Sequence, residues 1–236
     1  MRERPLNFVP KLVTAMLLIA FALQLTWHHY APAPQAQAID LPAPPSLSAL
    51  EIASLAEPIA LSKLLMLYVQ AFDSQAGVRL PFQRLNYEHL QLWLTHILQL
   101  DPRAQYPLLS ATHLYATVRD ETKKRIMLDF VYRRFLEDPN HRWRAMADAA
   151  VIARHKLKDL PLALKYAHAI TQHATARTVP GWARQMEIFL LEDMNEVERA
   201  KILLGALLAS GEITDPHELH FLNERLKAMG STVRPQ

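Results

Sequence analysis

Any chemistry in this chain has to come from histidines, carboxylates and hydroxyls, because it contains no cysteine. That absence removes disulfides, thiolate metal sites and a cysteine nucleophile. It leaves the compartment open, since reducing and oxidising surroundings both tolerate it. Among 11 histidines, the most suggestive arrangement is His217-Glu218-Leu219-His220. A zincin places two histidines at i and i+4 around a glutamate. Here the second lies at i+3 with no third ligand nearby, so polar first-turn residues behind an Asp215 cap are the simpler reading. His28-His29 follows an apolar run and suits a membrane interface better than a haem or metal site. His89 and His96 fall seven apart on one helix, while His168 and His173 do not share a face closely; both pairs read as solvated or core-edge. The acids Glu192-Asp193 and Glu196 with Glu198 gather at a predicted turn and helix start, where carboxylates complement the helix dipole. A glycosidase needs two acids facing across a cleft. No Gly-x-Ser-x-Gly elbow or phosphate-cradling loop occurs among only 5 glycines. No catalytic, cofactor-binding or metal residue is therefore assigned, no cofactor is expected, and the chain does not read as an enzyme.

Charge offers one further feature. Residues 101–160 hold 12 Lys/Arg against 8 Asp/Glu, in the run Arg119, Lys123, Lys124, Arg125, Arg133, Arg134, Arg142 and Arg144. Lys123 with Asp120, and Arg133 with Asp129, stand at helical pair spacings, which describes a solvated face with local ion pairs. Its functional use would be a basic face of Arg119, Lys123, Lys124, Arg133 and Arg134, docking an acidic protein partner or anionic headgroups. A formal charge of +3 without a stronger cluster argues against nucleic acid.

The elements that would carry these residues begin with a hydrophobic N-terminus. Arg2, Arg4 and Lys11 precede Leu12–Trp27, which has no charge. Residues 8–27, with Lys11 snorkelling, match a hydrocarbon core of ~30 Å. Trp27, His28, His29 and Tyr30 follow as an interfacial belt would. No Lys or Arg occurs between Lys11 and Lys63, so the positive-inside rule puts the N-terminus in the cytoplasm and the remainder outside. A cleaved signal peptide is the rival reading, with Ala31-x-Ala33 and Ala36-Gln37-Ala38 as sites, but Ala36–Ala38 lies well past the apolar run and Ala31–Ala33 runs into Pro34. Residues 1–30 are read as a signal anchor and 31–50, with five prolines, as a linker. Residues 51–230 form the domain and 231–236 a tail.

Within the domain an acid followed by proline recurs about every 40 residues: Glu57-Pro58, Asp101-Pro102, Asp138-Pro139 and Asp215-Pro216, with Val179-Pro180 as a degenerate member. Asp caps a helix and Pro fits its first turn, so each pair opens or closely precedes a helix. Between them lie further start signals. Asn86 precedes Tyr87–Leu100, Asp120 precedes Lys123–Leu136, and Asp159 with Pro161 precedes Leu162–His173. Asn195 with Glu198 reads as a capping box before Val197–Ala209, and Gly211 suits its end. Asp215 opens a last helix to Met229. Apolar spacing agrees at Leu90, Leu94, Ile97 and Leu98 and at Leu162, Tyr166, Ala169 and Ile170. Ile59–Phe72 is apolar nearly all round and is expected to sit deepest. With few β-branched runs, the class is all-α.

Helix pairs closed by a proline resemble the tetratricopeptide repeat (TPR). Leu98-Gln99-Leu100-Asp101-Pro102 looks like the end of one. Tyr106-x2-Leu109-Ser110, Trp143-x2-Met146-Ala147 and Trp182-x2-Gln185-Met186-x2-Phe189 look like first helices. Ala163-x3-Ala167 and Ala200-x3-Leu204 approximate the second-helix small positions. The glycine position holds Ser110, Ala147 or Met186, and the units are longer than 34 residues. The resemblance, over Glu57 to about Met229, implies an α-solenoid of antiparallel hairpins that binds protein or peptide without catalysis. The expectation is a membrane-anchored interaction scaffold, an accessory or assembly subunit of a bacterial envelope complex. It would sit in the inner membrane with its domain in the periplasm. The alternative is an exported helical enzyme or metal-binding accessory factor using His217 and His220. Core packing is the expected role of Tyr106, Tyr115, Tyr132, Trp143, Tyr166 and Trp182.

Overall fold

A computed structural model describes residues 10–30, 40–72, 74–75, 78–79, 82–211, 213 and 215–232. Among them are eleven α-helices: α1 (Lys11–Tyr30), α2 (Leu47–Ala53), α3 (Pro58–Ala71), α4 (Tyr87–Leu100), α5 (Tyr106–His113), α6 (Glu121–Glu137), α7 (Pro139–His155), α8 (Leu160–His173), α9 (Gly181–Asp193), α10 (Val197–Ala209) and α11 (Pro216–Thr232). Two-residue extended stretches stand at Ser74–Gln75 and Val78–Arg79, and 3-10 turns at Phe82–Arg84 and Tyr115–Thr117. The chain is all-α, in two compact units, one holding α1 and the other α2–α11.

α1 buries none of its residues and is long and apolar enough to cross a membrane. Residues 8–9 of the expected span, and both candidate cleavage sites, lie outside the described residues.

In the second unit, local chemistry sets most helix starts. Asn86 accepts the N–H groups of Glu88 and His89, and Asp120 and Asp159 accept those of Lys123 and Leu162. These bonds satisfy donors that a helix start otherwise leaves orphaned. Pro58, Pro139 and Pro216 each occupy a first helical position. Asp101-Pro102 sits in a turn, with Asp101 closing α4 and α5 starting only at Tyr106.

Asn195 does not cap α10. It takes φ +60° just past the end of α9, where its N–H reaches the Glu192 carbonyl and that of Glu196 reaches Leu191. That is a Schellman closure. Asparagine suits both roles, because its side chain caps and its backbone tolerates the left-handed region. Gly211, φ +69°, follows α10 as expected.

From α6 to α11 each helix packs on the next, whereas α4 reaches α6 and α5 reaches α7. One core runs from Leu41 through α3–α8 to Ala183 and Leu190 of α9, and a smaller one joins α9, α10 and α11 through Ile188, Leu191, Leu204 and Leu222. α7 and α8 pack closely on each other and both are rich in buried small residues. Ala147, Ala150, Ala153, Ala163 and Ala167 are all buried, flanked by Met146, Tyr166 and Ile170. Val151 of α7 is exposed, as are Tyr106 and Trp182 of the expected core aromatics.

Two further expectations change. The stretch expected as a linker is part of the folded unit from Asp40 on. Leu41 is buried, the Asp40 carboxylate accepts the Asn86 N–H, and the Trp93 indole donates to the Pro42 carbonyl at 2.8 Å. α11 also continues to Thr232, two residues into the expected tail. Second, α3 is not the deepest helix. It buries only Ser62, Met66 and Val69 and exposes Ile59, Leu64, Leu67 and Tyr68. Among the described residues its main neighbour is α4, with smaller contacts to α2 and to Ser74–Gln75.

Trp143 is 7% exposed and meets Trp182 edge to face at 5.5 Å, with Arg144 over its ring. Trp143→Ala should cost about 3–5 kcal/mol, the cost of deleting a buried aromatic ring. Thermal melts of the two proteins check this; an unchanged melt with lost partner capture would make Trp143 a binding residue instead.

Candidate functional site

The histidine and acid residues scatter. His217 and His220 are exposed on the first turns of α11, where the Asp215 carboxylate accepts the N–H groups of His217 and Glu218. Glu218 accepts from Gln185 of α9. Among the described residues no three His, Asp or Glu converge to hold a metal ion. His28 and His29 end α1, and His89 Nδ1 contacts the Leu41 carbonyl at 2.8 Å. One pair was not legible in the sequence: Glu187, a buried carboxylate, meets His168 Nδ1 at 2.7 Å. A separation of 19 residues between two helices carries no local signal. Glu187 lines a groove of ≈ 280 Å³ together with Thr171, Arg184 and Leu203. A carboxylate-held imidazole can exchange protons, but the Thr171 hydroxyl beside it is shared between the Ala167 and Arg184 carbonyls.

The five residues expected as a basic face are used differently from one another. Arg119 is exposed. The Lys123 ammonium donates to the Gln83 and Leu85 carbonyls and lies 5.1 Å from the centre of the Tyr87 ring, tying the start of α6 to the turn before α4. Lys124 is buried. Arg133 pairs with Asp129, and Arg134 with Glu137. Of the neighbouring cations, Arg125 reaches Asp159, and buried Arg142 donates to the Arg134 and Pro102 carbonyls and to Glu137. Burial holds the Tyr87 and Tyr166 phenols well above their usual range. The side-chain hydrogen bond from Arg125, then that from the Leu162 N–H, holds the Asp159 carboxyl below the usual aspartate range.

An apolar groove of ≈ 370 Å³ lies between α3 and α5, lined by Ser62, Lys63, Met66, Leu67, Ile97 and Tyr106. The Ser62 hydroxyl donates to the Ile97 carbonyl in its floor, and Gln70 donates to the Tyr106 hydroxyl across it. The sequence hid this groove, because an all-round apolar helix gives no sign of which side stays open.

Scans against protein-family models, curated proteins and solved structures return no match to this chain.

Two outcomes follow from these partners. Lys123→Ala should lose about 1.5–3 kcal/mol, the worth of hydrogen bonds to a charged group, while Arg119→Ala stays within about 0.5 kcal/mol as a free surface change. Denaturant titration of both separates a structural lysine from a docking one. Asp159→Ala should lose about 1 kcal/mol, the usual worth of an N-cap. Because the folded carboxyl is depressed, its contribution is complete above the unfolded pKa of ~3.9 and is lost as pH falls through the folded value. The gap between wild type and variant should therefore close below about pH 4, as read by melts across pH.

Proposed function

We propose that this chain is a single-pass membrane protein whose helical body is a non-enzymatic docking scaffold for a protein partner. We place it as an accessory or assembly subunit of a bacterial envelope complex, with the N-terminus cytoplasmic and the body periplasmic. The observation that carries the reading is α1, apolar, uncovered along its whole length and long enough to span. A soluble protein rarely leaves so large an apolar surface bare. The charge asymmetry around it supports the orientation.

The scaffold role draws on the succession α6 to α11, each helix on its neighbour. This suits a tetratricopeptide-like stack, whose extended surfaces bind partners by area rather than by reactive groups. The groove between α3 and α5, apolar in its floor with Lys63, Asp101 and Gln105 around it, offers a place for a partner's side chains.

Expressed whole, the protein should stay in the membrane pellet through high salt and alkaline carbonate, with its body digested by protease added from the periplasmic side. Release into the soluble fraction, with a mature N-terminus at Ile39 by mass spectrometry, would replace the anchor by a cleaved signal.

A further inference from the structure

We propose that the outer face of α2 and α3 is a lipid-contacting surface, seated in the boundary between headgroups and acyl chains of the bilayer that α1 crosses. This rests on α1 being the membrane span. On α3, positions 60, 64, 67 and 71 follow helical three-four spacing and form one stripe. Its residues Ala60, Leu64, Leu67 and Ala71 are all apolar and exposed, with Leu64 at 62% and Leu67 at 63%. At the corner between the helices, Ile52 is 78% and Leu55 87% exposed. Leu55 and Ala56 hold φ +49° and +68°, a left-handed backbone that non-glycine residues seldom adopt. This turn bends α2 away from α3 by 113° and leaves Leu55 bare at its apex. A contiguous apolar surface of this kind on a folded body marks a contact with something apolar.

Geometry decides between crossing and lying on a membrane. α2 and α3 together are apolar enough for a membrane segment, but helices of 7 and 14 residues are about 10 and 21 Å long. Neither reaches across ~30 Å of hydrocarbon. The inner side of α3 is also held in the core by Ser62, Met66 and Val69. An interfacial position, one apolar face in lipid and the other on the protein, fits both facts.

The length of the connecting chain argues for lipid as the occupant. Nine residues separate Tyr30, the end of α1, from Asp40. Ten peptide steps reach at most about 36 Å, so a span ending at Tyr30 keeps Asp40 within that distance of the bilayer surface. The chain joins the body beside the apolar face. The Trp93 indole that binds the Pro42 carbonyl lies 5.3 Å, ring to ring, from Tyr68 of α3. Between Leu47 and Phe72 the only charged residues are Glu51, Glu57 and Lys63, so little charge opposes contact with apolar lipid.

A chain without cysteine allows single labels to be placed at will. Spin labels are attached to full-length Leu55→Cys, Leu64→Cys, Ile202→Cys and Phe21→Cys, all at exposed positions, in phosphatidylcholine vesicles. Collision with lipid-soluble oxygen is compared with collision with a water-soluble nickel chelate. Labels 55 and 64 should show a several-fold higher oxygen-to-nickel ratio than label 202, approaching that of label 21 in α1. If label 21 is in lipid while 55 and 64 match 202 in water, the inference fails and the anchor stands. Labels at 55 and 64 shielded from both reagents, with spin–spin broadening relieved by unlabelled protein, would assign the face to a second copy and overturn the proposal. A water-exposed label 21 removes the anchor and the inference with it.

Discussion

The close contact of α7 with α8 is the constraint on which the body depends. Alanines on both helices are buried where they meet. A methyl group in place of a larger side chain lets helix axes approach toward the short end of their usual range. Once that distance is set, larger residues must close the seam around it. Trp143, Met146, Tyr166 and Ile170 are the large buried residues of the two helices, and Trp143 meets Trp182 of α9. α6 leads into α7 through Asp138 alone, which ends one helix and starts the other. A bend without a loop leaves carbonyls in need of donors, and buried Arg142 supplies them on Arg134 and, across the α4–α5 turn, on Pro102.

The same need for donors explains the fate of the basic run. A cation near a helix end or an exposed carbonyl is drawn to it, because a buried or half-buried polar group without a partner is costly. Lys123, Arg125 and Arg142 are thereby committed to carbonyls or carboxylates on other elements. Part of the basic run is thus a set of internal ties, while Arg119 stays exposed and Arg133 and Arg134 pair locally with Asp129 and Glu137. Apolar surface stays open elsewhere: the groove between α3 and α5, and the exposed Leu64 and Leu67 of α3. On the proposed reading, a scaffold held at a bilayer by α1, with apolar surface on α2 and α3, would have two ways to meet partners already confined to the membrane. Such confinement raises the effective concentration of any partner there without adding a contact.

Much of the helical layout was legible in the sequence. Asn86, Asp120 and Asp159 are followed by helices whose first donors they bind, and Tyr87–Leu100 and Val197–Ala209 run as expected. Capping, proline at the first turn and three-four apolar spacing act between residues close in the chain, so the order of residues is enough to decide them. The apolar length of α1 is likewise a property of a single stretch. Asn195 marks the limit of such reading, since one residue type serves two opposite helix-end roles and only the neighbouring geometry selects one.

Everything that depends on a distant neighbour was decided by the tertiary structure. The composition of α3 calls for burial on all sides, yet Ile59, Leu64, Leu67 and Tyr68 stay exposed. The prolines before α2 suggested a free spacer, but Leu41 and Pro42 meet α4 across some 50 residues of chain. Glu187 found His168, and Lys123 found Gln83, by the same long-range packing. A residue's type and its near neighbours settle whether it is helical and which way it faces on that helix. Whether anything stands opposite that face depends on how separate helices share a limited interior, and no local pattern carries that information.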